Sequence, residues 1–401
     1  MKLSILQNTV QEYAWGSHTA ISDLFGKKPS DAPQAELWMG AHPKAPSVLE
    51  YKNEILSLAE VIAKHPEDVL GKKVAEKFHD KLPYLFKVLA AAKPLSIQAH
   101  PDRKQAKEGF ERENRLNIPL DAPHRNYRDD NHKPECICAM TSFWALNGFR
   151  KISDILSLME RICPEKLEKE SDDLLRHPDS QGLKNLFHAL MTMEPQRKKE
   201  IVANAVINAR KFSADDPVSE WIIRLHNACL SDIGVLFPIF LNLICLEAGQ
   251  AMFLTAGEPH AYLEGVGIEL MANSDNVLRG GLTPKHVDIP ELLKVLNFEE
   301  REINVLSPRK ISDYESLYDT PAEEFALSVI SVGKGQGNAV FLNKSVEILL
   351  CTRGAATFME PDSGHILDVN KGISVIVPAA VGKYRIEGDA SFYKASVPIP
   401  K

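Results

Sequence analysis

Along the first 149 residues, apolar positions fall in short runs broken often by Pro and Gly, with local alternation that predicts strands. Two interludes, Ile55 to Lys64 and Arg103 to Asn114, carry helical spacing instead. From Ile152 to about His226 the period changes. Ile152, Ile155, Leu156, Met159 and Ile162 recur at helical intervals, as do Leu183, Leu186, Phe187 and Leu190, then Ile201, Val202, Ala205 and Ala209. A fourth helix opens at Asp216-Pro217, an N-cap followed by Pro at the first helical position, and carries Val218, Trp221, Ile222 and Leu225 on one face. From Leu241 to Leu254 and from Phe325 to Val397, β-branched runs return, cut by Thr352-Arg-Gly, Pro361-Asp-Ser-Gly and Asn370-Lys-Gly. The pattern predicts a mainly β protein with an inserted α-helical domain. Its expected division is a first β part over 1–150, the helical insertion over 151–232, a second β part over 233–322 and a C-terminal β domain over 323–401.

An internal similarity bears on that division. Gly249 to Gly265 can be laid over Gly372 to Gly388 without a gap, each stretch opening and closing on Gly. His260 then falls opposite Lys383, so a duplicated C-terminal unit would lack the residue able to bind metal and would be structural.

Composition narrows the class. The chain has 401 residues, 44% hydrophobic and 25% charged, enough for two or three packed units. The apolar start of Met1-Lys-Leu-Ser-Ile-Leu is too short for a secretory core, and Val235 to Leu246, broken by Pro238 and Asn242, is too short to span a bilayer. A net charge of -7 without a block of either sign argues against a nucleic-acid or membrane partner, so any anion site must be local. The six cysteines form no paired framework and read as reduced thiols of a cytoplasmic protein, expected as a monomer. Cys136 and Cys138 could hold metal, but spacing of two in an apolar run reads better as one core-facing side of a strand.

Three segments concentrate chemistry. In Lys93-Pro-Leu-Ser-Ile-Gln-Ala-His100, alternation places Ser96, Gln98 and His100 on one strand face and Leu95 and Ile97 on the other, although a solvated outer face would look the same. In Asn131-His-Lys-Pro-Glu135 a carboxylate enters an apolar strand, which is costly unless it is paired or metal-bound; a surface pair of Lys133 with Glu135 is the plain alternative. Thr255-Ala-Gly-Glu-Pro-His260 ends a strand on a histidine. Together Gln98, His100, Glu135 and His260 offer a mixed N/O set that suits Zn²⁺, with Mn²⁺, Fe²⁺ or Co²⁺ as possible substitutes. Downstream, Arg279-Gly-Gly-Leu-Thr-Pro-Lys285 sets two cations about a Gly-rich turn, which suits a phosphate, as would an ordinary solvated loop. Gly333-Lys-Gly-Gln-Gly337 is not a dinucleotide fingerprint and reads as a β-turn. Trp15 and Trp38 are possible wall residues.

These segments resemble the type I, zinc-dependent mannose-6-phosphate isomerases of the cupin superfamily. Tyr127-x-Asp129-x-Asn131-His-Lys-Pro-Glu135 follows one family motif, and His260-Ala-Tyr-x-x-Gly265 through Glu269-x-Met271-Ala-x-Ser274-Asp-Asn276 to Arg279 and Thr283-Pro-Lys285 follows another. Tyr13-Ala-Trp-Gly16, Ala35 to Gly40 and Pro94 to Pro101 extend the match, which thins through the helical block and the C-terminal third. One departure is Gly280, where the family usually has Ala. The resemblance implies cupin-like jelly-roll β-barrels and one zinc held by Gln98, His100, Glu135 and His260. It implies Arg279 in the active site and Ser96 and Lys285 near the substrate phosphate. The reaction would interconvert mannose 6-phosphate and fructose 6-phosphate through a cis-enediol(ate), serving mannose metabolism and GDP-mannose precursor supply. Lys133, His132, Glu269 and Asp275 are the candidate bases; Lys133 is preferred, because a neighbouring cation favours a neutral amine. An iron cupin oxygenase would want a His-rich set in place of Gln98, and a non-catalytic sugar sensor would not need Arg279.

Overall fold

A computed structural model describes residues 1–333 and 339–399; most of the Gly-rich run at 333–337 lies outside the described residues. A ten-stranded sheet carries the candidate segments. Its organising element is the strand His260–Ala272. The first half pairs with Phe143–Phe149 and, at His260, with Ile97–Ala99; the second half pairs with Tyr84–Ala91 and Glu135–Ala139. One strand thus runs through both walls of a barrel and brings distant segments side by side. Period-2 geometry then decides what faces inward. Ile137 and Ala139 pack in the barrel interior with Leu89, Phe143, Met252 and Tyr262. Cys136 and Cys138 point the other way as free, fully buried thiols, as their spacing predicts.

The helices turn the metal-facing strand. Five helices, not four, occupy the predicted block: Ile152–Ile162, Glu168–Arg176, Ser180–Thr192, Pro195–Ala209 and Pro217–Cys229. Glu168–Arg176 is mostly charged and shows no apolar stripe, so periodicity misses it; Leu174 and the Glu170–Arg197 pair (2.9 Å) tie it down. The helical core continues into Ile97, Ala99, Leu146 and Leu263 on the outer face of the barrel. Burying an Ile side chain contributes roughly 1.5–3 kcal/mol. A one-residue slip would move Ile97 inward and Gln98 into the helices, so this packing holds the register. The strand begins only at Ile97, and Leu95, expected beside it, faces the other side of the wall. The expected helix at Ile55 is likewise shorter: Glu54–Ser57 is a strand, and the helix opens at Leu58 behind Ser57, whose hydroxyl accepts from Glu60 N–H at 3.2 Å.

The C-terminal strands form a nine-stranded sheet that packs on the first through Cys136, Cys138 and Leu270 on one side and Ile348, Leu350 and Ile376 on the other. It recruits strands from outside 323–401: Ser4–Leu6 pairs with Ser374–Val377, and Arg309–Lys310 and Glu315–Tyr318 extend the far edge. Thr352-Arg-Gly is not a turn but a bulge inside the strand Glu347–Met359. The internal similarity is accompanied by coinciding strand starts and turns. Strands Ala251–Leu254 and Ser374–Val377, then His260–Ala272 and Lys383–Ser396, start at aligned positions. Gly249 and Gly372 both turn at φ 88°, a conformation other residues adopt only at a cost. Among the described residues, the one His/Cys/Asp/Glu cluster able to hold a metal lies in the first barrel. No helix among the described residues is long and apolar enough to cross a membrane.

Beside the site, pairing steps from Arg279 opposite Gln98 to Gly281 opposite Ile97, so Gly280 is the extra residue of a bulge. A methyl group at Gly280 would meet Leu292 at 3.4 Å and Ile97 at 3.5 Å, ordinary contact distances. Gly280→Ala is therefore expected to keep activity and raise stability by about 0.4–1 kcal/mol in urea unfolding; a loss of stability would mean that the bulge needs glycine.

Candidate active site

Three of the four predicted metal-binding residues converge. His100 follows its strand, His260 and Glu135 each open one, and their ligating atoms lie within 4.8 Å of one another. Each imidazole donates through Nδ1 to a main-chain carbonyl, His100 to Asn276 at 2.8 Å and His260 to Glu258 at 2.9 Å. That fixes the tautomer: Nε2 carries the lone pair. Burial pushes both histidines down, His260 to about 3, against the pull of Glu135, so both are neutral. Burial pushes Glu135 up, but the Lys133 ammonium, the largest opposing influence, holds it well below the usual carboxylate range. The outcome is a carboxylate facing two bare nitrogens, 3.2 Å from His100 Nε2 and 3.6 Å from His260 Nε2. These contacts would be ion pairs only with protonated imidazoles, which burial disfavours. As acceptors facing acceptors, both Nε2 atoms lack a hydrogen-bond partner. A divalent cation among them satisfies all three groups, so the residues fit a metal, and the N/O donor set suits zinc.

Gln98 sits opposite both His260 and Arg279 in the pairing, and its side chain faces the cavity without a hydrogen bond to any described residue. Asn276, fully buried, braces the centre. Its carbonyl accepts from His100, while its side chain accepts from Arg128 N–H at 2.7 Å and donates to Asp129 O and Asn131 O, each at 2.9 Å. Tyr262 donates to Glu135 Oε2 at 3.3 Å.

Gln98, paired with His260, and Lys133, 3.2 Å from Glu135, link the three converging residues to a cavity of about 690 Å³. Ser96, Gln98, Lys133, Arg279 and Lys285 all line it, as do Trp15 and Trp38; His100, Glu135 and His260 are not among its lining residues and are at most 3% exposed. The four candidate bases separate clearly. Lys133 lines the cavity with Nζ 3.2 Å from Glu135. Asp275 also lines it, yet hydrogen bonds from His42 and Lys44 outweigh burial and hold its carboxyl well below the usual range. Glu269 is buried against Lys87 at 2.8 Å. His132 turns away into a separate depression, 2.7 Å from Glu324 and 3.0 Å from Arg103.

Lys87 is a cavity residue that motif reading passed over. Burial disfavours its charge, but Glu269 and Glu36 outweigh burial and hold the ammonium well above the usual lysine range. Burial also raises Glu269, and the neighbouring carboxylates Glu135 and Glu36 add to this against Lys87. Both shifts have the same sense, because three carboxylates crowd one ammonium and the cluster retains its protons. A signal was present: Lys87 is the one charged residue of the wholly buried strand Tyr84–Ala91.

Residues 3–152 match the family described as phosphomannose isomerase type I, catalytic domain. Mannose-6-phosphate isomerase of Escherichia coli K12 is 40% identical over 386 residues, 96% of each chain, and that of Homo sapiens is 35% identical, covering 92% of this chain and 91% of its own. A crystal structure of mannose 6-phosphate isomerase described as holo and zinc bound superposes with a TM-score of 0.91 at 37% identity over 100% of both chains. One of a mutant phosphomannose isomerase from Salmonella typhimurium gives 0.92 at the same identity and coverage. The fold is therefore the expected cupin-like one, and the chain belongs to the type I mannose-6-phosphate isomerase family.

Proposed function

We propose that Gln98, His100, Glu135 and His260 hold the one zinc ion on which this chain depends as a reversible mannose-6-phosphate isomerase. The observation that carries this reading is the pair of bare, buried imidazole nitrogens aimed at Glu135 beside a cation-lined cavity. When bound, zinc supplies Lewis-acid stabilisation of negative charge developing on a sugar oxygen. With one carboxylate among four ligands, the centre keeps a net positive charge of about one, suited to that task.

In this reading Ser96 and Lys285 hold the phosphate and fix the sugar's direction in the cavity, while Arg279 presents N–H donors where charge gathers as the cis-enediol(ate) forms. Lys133, beside Glu135, takes the proton from C2 as the neutral amine, the form that a divalent cation on Glu135 would favour, and returns it at C1; the electron pair left at C2 forms the double bond to C1 as the aldehyde oxygen takes up charge. The protonated Lys87 cluster and the weakly basic Asp275 are less suited to remove that proton. The cytoplasmic placement rests on the six unpaired cysteines, and the expected lack of nucleic-acid or membrane partners on a charge of -7 without a block of either sign; a monomer is the default reading.

Chelation is expected to lower conversion of mannose 6-phosphate to fructose 6-phosphate at least about 100-fold, with recovery on adding zinc; activity indifferent to chelation would overturn the metal reading. His260→Ala is expected to lose bound zinc by elemental analysis, whereas Arg279→Ala retains it and loses turnover. A rise in KM alone would make Arg279 a binding residue.

Acid should also destabilise the metal-free protein. His260 has a folded value of about 3 against an ordinary 6.5, so between those limits the unfolded chain binds a proton that the folded one excludes. Its stabilising contribution is complete above pH 6.5 and is lost as pH falls toward 3. Urea midpoints of the metal-free protein should fall across that window, and His260→Gln should flatten the slope; an unchanged slope would show that His260 is not buried neutral.

A further inference from the structure

We propose that Arg128 is a third cation of the substrate-phosphate subsite and a determinant of selectivity for phosphorylated over neutral sugars. The inference rests on the reading of Arg279 and Lys285 given above.

The cations around the cavity fall into two groups. Lys44, Lys87, Arg125 and Lys133 each have a carboxylate partner, Asp275 at 2.8 Å, Glu269 at 2.8 Å, Glu113 at 3.5 Å and Glu135 at 3.2 Å. Arg128, Arg279 and Lys285 line the same cavity, and among the described residues none has an ion pair or a side-chain hydrogen bond. They are also close enough to disfavour one another's charge: besides burial, Arg128 pushes Arg279 down, and Arg279 and Arg128 both push Lys285 down. Three cations gathered without a counter-charge raise the energy of the free protein. An anion between them removes that repulsion, and a guanidinium can grip phosphate oxygens in a fork.

The backbone carrying Arg128 is held on both sides. Tyr127 N–H donates to Glu113 at 2.9 Å and its hydroxyl to Glu291 at 2.8 Å, while Arg128 N–H and Asp129 N–H donate to Asn276 Oδ1 at 2.7 and 3.2 Å. The main chain is fixed and the half-buried guanidinium is left for something other than protein. Because Asn276 also accepts from His100, one residue sets the spacing between the phosphate cations and the metal-binding end of the cavity.

The test uses the zinc-loaded enzyme with inorganic phosphate as a competitive probe. R128Q should raise both the phosphate inhibition constant and the KM for mannose 6-phosphate about 10- to 100-fold, lower kcat less, retain zinc and weaken the salt dependence of phosphate binding; R128K should recover most of the loss. K285Q is the control for the parent reading. If K285Q weakens phosphate and R128Q does not, Arg128 is only a solvated arginine and this inference fails alone. If neither variant changes phosphate affinity, the phosphate subsite itself is wrong. If R128Q loses zinc and R128K does not restore phosphate binding, Arg128 acts as a brace through Asn276 and the inference is overturned.

Discussion

A carboxylate and two neutral imidazoles, all buried and all presenting lone pairs to one another, form the constraint around which this molecule is arranged. Glu135 is held ionised by Lys133, and each histidine has its proton fixed on the far nitrogen by a main-chain carbonyl. Without a cation those three groups repel at 3.2 and 3.6 Å. The metal-free state is therefore under electrostatic strain, and binding a divalent ion relieves it. The same arrangement explains the dependence on burial: in water these groups would hydrate separately, and nothing would draw a metal to them.

Holding three acceptors together requires rigid support, and it comes from two directions. The strand His260–Ala272 pairs with the strands that carry Glu135 and Gln98, so main-chain hydrogen bonds set the spacing of side chains from three remote parts of the chain. Asn276 supplies the other support, linking His100 to the Arg128–Asn131 segment through one buried amide. The cavity is consequently lined in part by the barrel wall, and Arg279 and the Arg128 backbone are tied to that wall by strand pairing and by Asn276. Charge is sorted around the cavity as well: Lys44, Lys87 and Lys133 are paired with carboxylates, whereas Arg128, Arg279 and Lys285 have no ion pair among the described residues.

The aligned stretches of the two sheets show what a similar frame shares and where it differs. The strand starts and the tight turns at Gly249 and Gly372 coincide, yet His260 is matched by Lys383, and the one metal-binding cluster among the described residues stays in the first barrel. Its partner sheet serves as a packing surface for Cys136, Cys138 and Leu270. Hydrophobic patterning is shared because both sheets need a core; the polar residues at strand ends are under no such demand.

Local chemistry was legible wherever the physics is local. Alternation exposed the core-facing thiols, Asp216-Pro217 announced a helix, whose cap accepts from Ser219 N–H at 3.0 Å, and Glu135 at the mouth of an apolar strand announced a charge that needed a partner. The motif segments bearing His100, Glu135, His260 and Arg279 were readable for the same reason, since a strand sets side-chain direction within a few residues. What tertiary structure alone decided involves pairing across hundreds of positions: Ser4–Leu6 joining the C-terminal sheet, the charged helix Glu168–Arg176 held by one ion pair, and Lys87 turned into the cavity. It also separated Lys133 from His132, adjacent in sequence, by pointing one at Glu135 and the other at Glu324. Sequence patterns carry direction and period, whereas register, facing and the partner of a buried charge are set by which strands meet, and that depends on the whole core.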